Sequence, residues 1–381
     1  MRVAIVNYVW DADLDSPDAL LDRFFTLTGW AGAVRDAGAE PIVFQRFSAN
    51  ADVERHGVTY RFCADHGPAH PPRRFTRAAP LHDAIASARP DVVHVNSVLH
   101  PSLVRALRAI LPATSRLVVQ DHGGVNPATA PVLARRAIRR GLDATDGLVL
   151  AAAGQEDAWR RAAMLPDHVR VFDVMEGSTT FSPRSRDEAR RGGGVSGSPA
   201  LLWVGRLTVN KDPQTVLRGF EAFAVRHPDA RLTMVYGTGE LEHAVRQSVV
   251  SSRVLSARVQ VAGRVPHERL PAFYSAADMF VLGSHYEGSG YAAIEAMACS
   301  ALPILTDIPS FRSLTGGGRA GELWPPGDAD GLVRALERGL ARVSDASRRA
   351  VRDHFEQSFS WQAIGRRAVE VYHLVASGAG L

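Results

Sequence analysis

Short apolar runs alternate along the first half of the chain with longer segments whose apolar residues recur at helical spacing. Such runs are typical of strands buried in a parallel sheet, and the periodic segments are typical of helices that cover it. We predict strands at Val3–Val6, Pro41–Phe47, Val58–Phe62, Asp91–Val95, Leu117–Gln120, Leu148–Ala152 and Val169–Val174. We predict helices at Asp18–Asp36, Leu81–Ala88, Pro101–Leu111 and Pro131–Arg140, and an irregular loop at His66–Arg77.

The second half repeats this alternation after a stretch rich in glycine, serine and arginine, Ser182–Ser198, whose composition is typical of a linker. The pattern predicts an α/β fold with two doubly wound parallel sheets, in which ligands bind at the carboxyl ends of the strands. The predicted strands are Ala200–Val204, Leu232–Tyr236, Val259–Ala262, Phe280–Leu282 and Pro303–Thr306, and the predicted helices include Asp212–Arg226, Tyr291–Ala298 and Trp361–Ala376.

Length and composition narrow the class of protein. The chain has 381 residues, 46% hydrophobic and 22% charged, which indicates two domains with well-formed cores. No apolar run is long enough to span a membrane, and the first ten residues lack a cleavage site of small residues. Cys63 and Cys299 make neither a disulfide framework nor a metal set. We therefore expect a cytoplasmic enzyme.

The charge balance raises the question of a nucleic-acid partner. The net charge is +4 and the isoelectric point is about 9.4, but no basic patch is interleaved with aromatic residues, so we expect no nucleic acid. Lysine and arginine total 44, and Lys211 is the single lysine. The arginine bias indicates genome composition, and it makes the retained lysine informative.

The stretch 284–298, SHYEGSGYAAIEAMA, carries two carboxylates eight positions apart, Glu287 and Glu295. It follows a predicted strand and leads into a predicted helix. Gly288 and Gly290 allow the backbone to approach a ligand, and the free N–H groups of the helix start favour an anion. Carboxylates on either side of a bound phosphate would suit a sugar nucleotide.

This stretch resembles the E-x7-E signature of retaining glycosyltransferases of family 4 (glycosyl transferases group 1), which have the GT-B fold. The resemblance implies that Glu287 contacts hydroxyls of the donor sugar and that Glu295 holds the ribose of the nucleotide. It also places Gly288, Ser289 and Gly290 in the donor site. The family commonly has an aromatic residue where Ser289 stands, so the donor sugar is not identified by the resemblance.

The segment 202–214, LWVGRLTVNKDPQ, ends a strand at Gly205, and Lys211 comes just before a helix. It resembles the family's G-R-x-x-x-x-K-G segment, in which Arg206 and Lys211 would clamp the donor diphosphate without a metal or another cofactor. Asp212 replaces the glycine that usually follows the lysine. A leaving nucleoside diphosphate gains charge in the transition state, and fixed cations stabilise it.

Two further turns resemble nucleotide-side segments of the family. Gly237 and Gly239, in YGTGEL, correspond to a loop beside the nucleoside, although a strand-to-helix turn alone would also explain them. Arg264 and Val265, in VAGRV, correspond to the segment whose backbone reads the base. Nothing in either segment separates uracil from guanine.

In the first half, QDHGG follows a strand, and His122 resembles the histidine that faces the donor sugar in the family. Asp121 is a lesser candidate, His94 suits a core position, and His100 could touch substrate. The family's glycine pair after the first strand is absent, so acceptor contacts there do not carry over.

Two features bear on the acceptor. The acidic residues near the first helix suit a helix N-terminus, or else a cationic acceptor such as an amino sugar. The basic run Arg135–Arg140 suits a solvated helix face, or a weak association with a membrane surface. The acidic residues are Asp11, Asp13, Asp15, Asp18 and Asp22.

Together with the resemblance, these observations predict a GT-B enzyme that transfers a sugar from a nucleoside-diphosphate sugar to an acceptor hydroxyl. Retention of the anomeric configuration is implied by the resemblance alone. The alternatives are a sugar-nucleotide epimerase of the same fold and a non-catalytic sugar-nucleotide binder. No obligate protein partner is evident. We predict an N-terminal domain at 1–180, a linker at 181–198, a nucleotide-sugar domain at 199–359 and a last helix, 360–381, that packs back on the N-terminal domain.

Overall fold

The computed structural model describes residues 1–65, 67–70, 78–192, 194–237 and 239–378. Most of the loop predicted at His66–Arg77 lies outside the described residues, as do one residue of the predicted linker, one of the YGTGEL turn and the last three of the chain. The chain forms two compact units: unit 1 comprises residues 1–178 with those from Ser360 onward, and unit 2 comprises Thr179–Phe359.

The elements of both units alternate along the chain. The strands are β1 Arg2–Asn7, β2 Glu40–Phe47, β3 Ala51–Arg55, β4 Val58–Ala64, β5 Val92–Asn96, β6 Arg116–Gln120, β7 Gly147–Leu150, β8 Arg170–Asp173, β9 Ala200–Gly205, β10 Arg231–Tyr236, β11 Val259–Gly263, β12 Met279–Leu282, β13 Leu302–Thr306 and β14 Glu322–Trp324. The α-helices are α1 Pro17–Arg23, α2 Phe25–Asp36, α3 Ala79–Ala88, α4 Pro101–Ile110, α5 Val132–Leu142, α6 Glu156–Arg161, α7 Arg186–Arg191, α8 Pro213–Arg226, α9 Glu242–Ser251, α10 Arg253–Arg258, α11 Leu270–Ala276, α12 Tyr291–Ala298, α13 Pro309–Leu314, α14 Ala329–Arg342, α15 Asp345–Ser358 and α16 Trp361–Ala376.

Unit 1 is built on an eight-stranded sheet in the order β3-β4-β2-β1-β5-β6-β7-β8. All neighbours are parallel except β3 and β4, which form an antiparallel hairpin at one edge. The strand order reverses between β1 and β5, because the chain builds outward from β1 on one side and from β5 on the other. Such a switch point leaves a crevice at the carboxyl ends of the two strands.

Three details of unit 1 differ from the sequence prediction. No helix was predicted at α6, Glu156–Arg161. The helix expected at Asp18–Asp36 is broken at Phe24, whose φ of −100° and ψ of 56° are not helical, so α1 and α2 are separate. Strand β3 was not predicted, because its exposed edge position gives it a sequence, ADVER, with few apolar residues.

Helix α16 is part of unit 1 and packs on α2 through two glycines. An added Cβ at Gly365 would lie 2.1 Å from the carbonyl oxygen of Ala33, and one at Gly29 would lie 2.3 Å from the Trp361 ring. The two helices therefore approach more closely than larger side chains would permit. Arg170 also donates to the Leu374 carbonyl at 2.8 Å, which ties β8 to the same helix.

Unit 2 contains a six-stranded, fully parallel sheet in the order β11-β10-β9-β12-β13-β14. Its switch point lies between β9 and β12. The loops that leave these two strands are residues 206–212 and 283–290, and both carry predicted site residues. Over the part of the chain that the structure describes, no helix is both long and apolar enough to cross a membrane.

The structure also differs from the predicted linker. Residues 186–191 form helix α7, which packs against α11, and Ala189 and Val195 are buried. Arg186 and Arg190 both pair with Asp278, Arg190 at 2.9 Å. The arginines of this segment therefore include two that attach it to unit 2 by ion pairs. Residues 186–191 are part of unit 2 although their composition is typical of a linker.

Candidate active site in two units

The switch point of unit 2 brings together two predicted site residues, Lys211 and Glu287. Their side chains form an ion pair and are only 16% and 11% exposed, respectively. Lys211 ends a short 3-10 helix, Val209–Lys211, in the loop after β9. Glu287 lies in the loop after β12. Because the two strands are neighbours, residues 76 positions apart in sequence meet at one edge of the sheet.

Hydrogen bonds fix the two loops against each other. The amide of Asn210 donates to the Tyr286 carbonyl at 2.9 Å, and the backbone N–H of His285 donates to the Asn210 carbonyl at 2.8 Å. The Ser310 hydroxyl donates to the Glu287 carbonyl at 2.5 Å. The position of the ion pair is therefore set by the surrounding loops as well as by the attraction between the charges.

Asp212 shows why the usual glycine is replaceable. Its φ of 41° is in the left-handed region, which aspartate tolerates better than most residues. Its side chain caps α8 by accepting from the Thr215 N–H at 3.1 Å and lies 3.1 Å from Nε2 of His285. The substitution thus adds a helix cap and a further tie between the two loops.

Gly290 opens helix α12 at the same edge of the sheet. Its φ is 77°, and an added Cβ would lie 2.7 Å from the Phe311 ring, so the turn requires glycine. No side-chain cap is found for α12 among the described residues. Ser289, just before the turn, is buried.

Glu295 lies one turn inside α12 and is held by two residues that the sequence analysis did not single out. Nε2 of His267 is 2.7 Å from one carboxylate oxygen, and the Tyr274 hydroxyl donates to the other at 2.8 Å. The bond to Glu295 raises the pKa of His267, and burial raises the pKa of Tyr274 well above its usual value. His267 is the exposed member, with 54% of its side chain open to solvent.

The other predicted donor residues of unit 2 are at its surface. Arg206 is exposed and makes no ion pair with any residue that the structure describes. Gly205 precedes it at the end of β9. Gly239 packs on the preceding loop, because an added Cβ would lie 2.3 Å from the Leu207 carbonyl oxygen, whereas one at Gly237 would meet nothing. Arg264 is exposed and Val265 half-buried.

Unit 1 has a pocket of about 210 Å³ at its own switch point. The Asn96 amide donates to the Asn7 side-chain oxygen at 3.0 Å, which links the ends of β5 and β1. His122, from the loop after β6, is among the lining residues, and we call this cavity the unit 1 pocket. It is lined by Asn7, Val9, Phe24, Thr26, Leu27, Trp30, Asn96, Ser97, Gln120, His122 and Glu176.

His122 and Glu176 form the ionisable part of the unit 1 pocket. Nδ1 of His122 is 3.4 Å from a carboxylate oxygen of Glu176, which is only 4% exposed. Burial lowers the pKa of His122, although 38% of its side chain is open to solvent. Burial and the charge of Glu176 raise the pKa of Asp121 to about 7. Hydrogen bonds from the backbone N–H groups of Gly123 and Gly124 act in the opposite direction and lower it by less.

The remaining candidates of unit 1 have structural partners. His94 is fully buried, and His100 is 7% exposed at the start of α4. Asp11 pairs with Arg23 at 3.6 Å, and Asp22 pairs with Arg55. These acidic residues therefore do not present five free charges. Within the described residues, no group of three or more His, Cys, Asp or Glu side chains is arranged to hold a metal ion.

Comparisons with known proteins agree with this architecture. Residues 185–351 match the family described as "Glycosyl transferases group 1". The chain is 28% identical over 297 residues to glycogen synthase of Mycobacterium tuberculosis, covering 75% of this chain and 69% of the relative. It is 26% identical over 309 residues to GDP-mannose:cellobiosyl-diphosphopolyprenol alpha-mannosyltransferase of Xanthomonas oryzae pv. oryzae, covering 79% and 78%.

Among solved structures, sucrose-phosphate synthase from Thermosynechococcus elongatus aligns with a TM-score of 0.71 at 20% identity, over 99% of this chain and 100% of that one. The chain has the GT-B fold, and its residues 185–351, which lie in unit 2, resemble the glycosyl transferases group 1. The predicted fold class and enzyme class are confirmed, and the predicted family resemblance is confirmed over residues 185–351. The enzyme transfers a sugar from a nucleotide-sugar donor.

The predicted site residues thus lie in both units, and the structure adds partners that the sequence analysis did not name. Lys211 and Glu287 meet as a pair, whereas Arg206 is separate at the surface. His267, Tyr274 and Glu176 were missed, because each meets its partner only through the fold and belongs to no recognised motif. The one available signal was the position of His267, two residues after the VAGRV segment.

Proposed function

We propose that unit 2 binds the donor of this retaining glycosyltransferase at the β9–β12 switch point, with Glu287 on the donor sugar and Lys211 and Arg206 on the diphosphate. The observation that carries the proposal is the half-buried Lys211–Glu287 pair in front of helix α12. A carboxylate for sugar hydroxyls and an ammonium for phosphate lie in contact there. The sugar and the diphosphate are also adjacent groups in a donor molecule, so one donor can contact both side chains at once.

In this assignment, the bond between the anomeric carbon and the diphosphate breaks while the bond to the acceptor oxygen forms. The acceptor hydroxyl passes its proton to the departing phosphate oxygen as the nucleoside diphosphate leaves. Negative charge grows on the leaving group, so Lys211, Arg206 and the N–H groups at the start of α12 stabilise the transition state more than the ground state. Protein cations would meet the phosphate charge, so no metal or other cofactor is assigned.

We assign Glu295 to the ribose. The ribose hydroxyls would share or replace the bond to His267, whose exposed imidazole is the partner that can move, while the bond from buried Tyr274 stays in place. Tyr274 therefore acts as a positioning residue for Glu295. The backbone near Arg264 and Val265 is the proposed base-side segment. In unit 1, His122 is assigned a hydrogen bond to a sugar hydroxyl.

The proposal is tested first by donor binding. Calorimetry with UDP, GDP and ADP should identify one nucleoside diphosphate that binds the wild type. The variant Glu295→Ala should bind it more weakly by about 1–3 kcal/mol, the value of lost hydrogen bonds. Glu40→Ala, an exposed residue of unit 1, is the matched control. Equal binding by wild type and Glu295→Ala would contradict the ribose assignment.

The reaction is tested by following the sugar of the preferred donor. Transfer to an acceptor with the anomeric configuration retained is the expected result. Release of an isomerised free sugar nucleotide would identify an epimerase, and binding with neither transfer nor hydrolysis would identify a binding protein. Arg206→Ala and Lys211→Ala should each lower kcat, because their charges act on the leaving group.

Two further assignments concern location. We propose that the enzyme acts in the cytoplasm, which the two buried free cysteines, Cys63 and Cys299, support, since thiols persist in reducing compartments. We also propose a weak contact between α5 and anionic membranes, supported by the exposed Leu133 beside outward-facing Arg136 and Arg140. Vesicle sedimentation of Arg136→Glu/Arg140→Glu beside the wild type, with and without phosphatidylserine, tests the second assignment.

A further inference from the structure

The unit 1 pocket has one apolar wall and one polar wall. The apolar wall comes from a single stretch around the start of α2 and includes Phe24, Leu27 and Trp30. The polar wall comes from the loops and strand ends at the switch point, including Gln120 and Glu176. A sugar ring has the same division, with C–H groups on its faces and hydroxyls around its rim. The volume of about 210 Å³ is below the roughly 300–1,000 Å³ of sites for drug-sized ligands, which suits one ring.

A buried hydrogen-bond chain holds both walls in place. The Trp30 indole N–H donates to the Tyr372 hydroxyl at 3.3 Å, and that hydroxyl lies 2.8 Å from Nδ1 of His94. Nε2 of His94 is 3.1 Å from the Gln120 carbonyl oxygen, and the Gln120 amide donates to the Val174 carbonyl at 3.1 Å. One arrangement of protons satisfies every step: Tyr372 donates to His94, and His94 donates to Gln120. The chain is uncharged, because burial keeps His94 neutral.

The fixed charge in the unit 1 pocket is negative. Glu176 is a lining residue, and its charge is one cause of the raised pKa of the neighbouring Asp121 carboxyl group, after burial. The described lining residues include no lysine or arginine. A phosphate group placed here would therefore meet the Glu176 carboxylate with no lysine or arginine among the described lining residues to offset the repulsion, which is unfavourable.

We propose that the unit 1 pocket binds the accepting sugar as one uncharged ring, with its C–H face on Trp30 and its hydroxyls on Glu176 and the neighbouring amides, and that it excludes rings carrying a phosphate. The proposal rests on the proposed function and adds the acceptor class. The structurally similar sucrose-phosphate synthase is named for a phosphorylated product, so the fold alone does not decide this property. Glu176 is thereby a specificity-determining residue.

The wild-type enzyme tests the proposal with matched acceptor pairs. Glucose and glucose 6-phosphate, mannose and mannose 6-phosphate, and fructose and fructose 6-phosphate are compared for transfer from the preferred donor and for binding by calorimetry. At least one free sugar should bind, and its phosphate ester should be about 100-fold weaker, the effect expected of an uncompensated like charge. A phosphate ester that binds as well as its free sugar, or no binding by any free sugar, would overturn the proposal.

A charge-neutral variant gives the second readout. Glu176→Gln keeps the shape but removes the charge, so the ratio of free-sugar to phosphate binding should fall by about tenfold or more. Glu40→Gln makes the same change at an exposed position of unit 1 and should leave the ratio unchanged. A ratio that Glu176→Gln also leaves unchanged would remove Glu176 from the acceptor site.

Donor binding is measured on the same samples and keeps the two proposals distinguishable. If the nucleoside diphosphate binds and donor hydrolysis persists while acceptor preference is reversed, only the acceptor assignment fails. If no nucleoside diphosphate binds, the function proposed for unit 2 fails. Circular dichroism and the melting temperature show whether Glu176→Gln is folded, and the wild-type comparison stands without that variant.

Discussion

Replacing Glu287 by glutamine should separate nucleotide binding from sugar transfer. Without ligand, Lys211 forms an ion pair with Glu287, and both side chains are largely shielded from water. A diphosphate that binds Lys211 has to weaken this attraction first. Glutamine keeps the size of the side chain and removes the competing charge. We therefore expect Glu287→Gln to bind the free nucleoside diphosphate more tightly than the wild type, although it transfers sugar poorly.

The magnitude follows from the burial of the pair. Exposed ion pairs contribute about 0–1 kcal/mol, and loss of one partner of a fully buried pair costs about 3–5 kcal/mol. Side chains that are 16% and 11% exposed lie between these cases. We therefore take about 1–2 kcal/mol as the free energy of the Lys211–Glu287 attraction that a bound diphosphate has to overcome. That range corresponds to about 5- to 30-fold tighter binding. Transfer should fall by about 100-fold or more, as when one preorganised contact to the transition state is lost.

Calorimetry with the preferred nucleoside diphosphate measures the first effect, and steady-state transfer measures the second. Glu40→Gln is the matched control, because it removes the same charge from an exposed position of unit 1. Weaker or unchanged nucleotide binding by Glu287→Gln would refute the competition argument. Normal transfer by this variant would show that Glu287 does not contact the donor sugar.

Three other changes in unit 2 have defined outcomes. Lys211→Arg should lower kcat/KM by about 10- to 150-fold, because a planar fork replaces a point charge in a confined site. His267→Gln should lower the melting temperature most below pH 6.5: the pKa of His267 is raised by Glu295, so the stabilisation is complete there and is lost as the pH rises through the raised value. Gly290→Ala should cost about 1–2 kcal/mol or more in the free energy of unfolding, because its φ is left-handed.

For each of these changes, one result would contradict the reasoning. Wild-type kcat/KM in Lys211→Arg would mean that the lysine is a surface residue without a special role. If the difference in melting temperature between the wild type and His267→Gln stays constant between pH 5.5 and about 8.5, the bond between His267 and Glu295 has no ionic contribution to stability. Gly32→Ala, in helix α2 with open space around it, should be neutral or stabilising. A stable Gly290→Ala would show that the turn before α12 tolerates other conformations.

The fold class was predictable because it depends on local patterns. Parallel strands that are buried on both faces have continuous apolar sequences, and all the long strands were predicted. The failures have physical reasons. Strand β3 pairs on one side only and is half exposed, so its sequence is polar, and Phe24 interrupts a helix without any proline or glycine to mark the break. The composition of residues 181–198 reflects tight turns and ion pairs to Asp278, which look like a flexible linker in sequence alone.

The predicted site residues divide in the same way. Glu287 and Glu295 could be predicted as site residues because one turn and one helix carry both, so their spacing is fixed within a short segment. The partners of Glu295 come from another helix and the loop before it: His267 is 28 positions away and Tyr274 is 21. Glu176 is 54 positions from His122, and only the order of strands in the sheet brings them together.

The residues proposed for the donor and those proposed for the acceptor differ in how far apart they lie in sequence. The residues proposed to contact the donor sugar and the diphosphate, Glu287, Arg206 and Lys211, lie on two loops that leave adjacent strands, so short motifs predict them. The unit 1 pocket takes side chains from the ends of β1, β5 and β6, from α2 and from the segment after β8, and its hydrogen-bond chain extends to α16. Under the acceptor proposal, specificity depends on side chains such as Glu176 that come together only in the folded pocket, so it has to be derived from the structure.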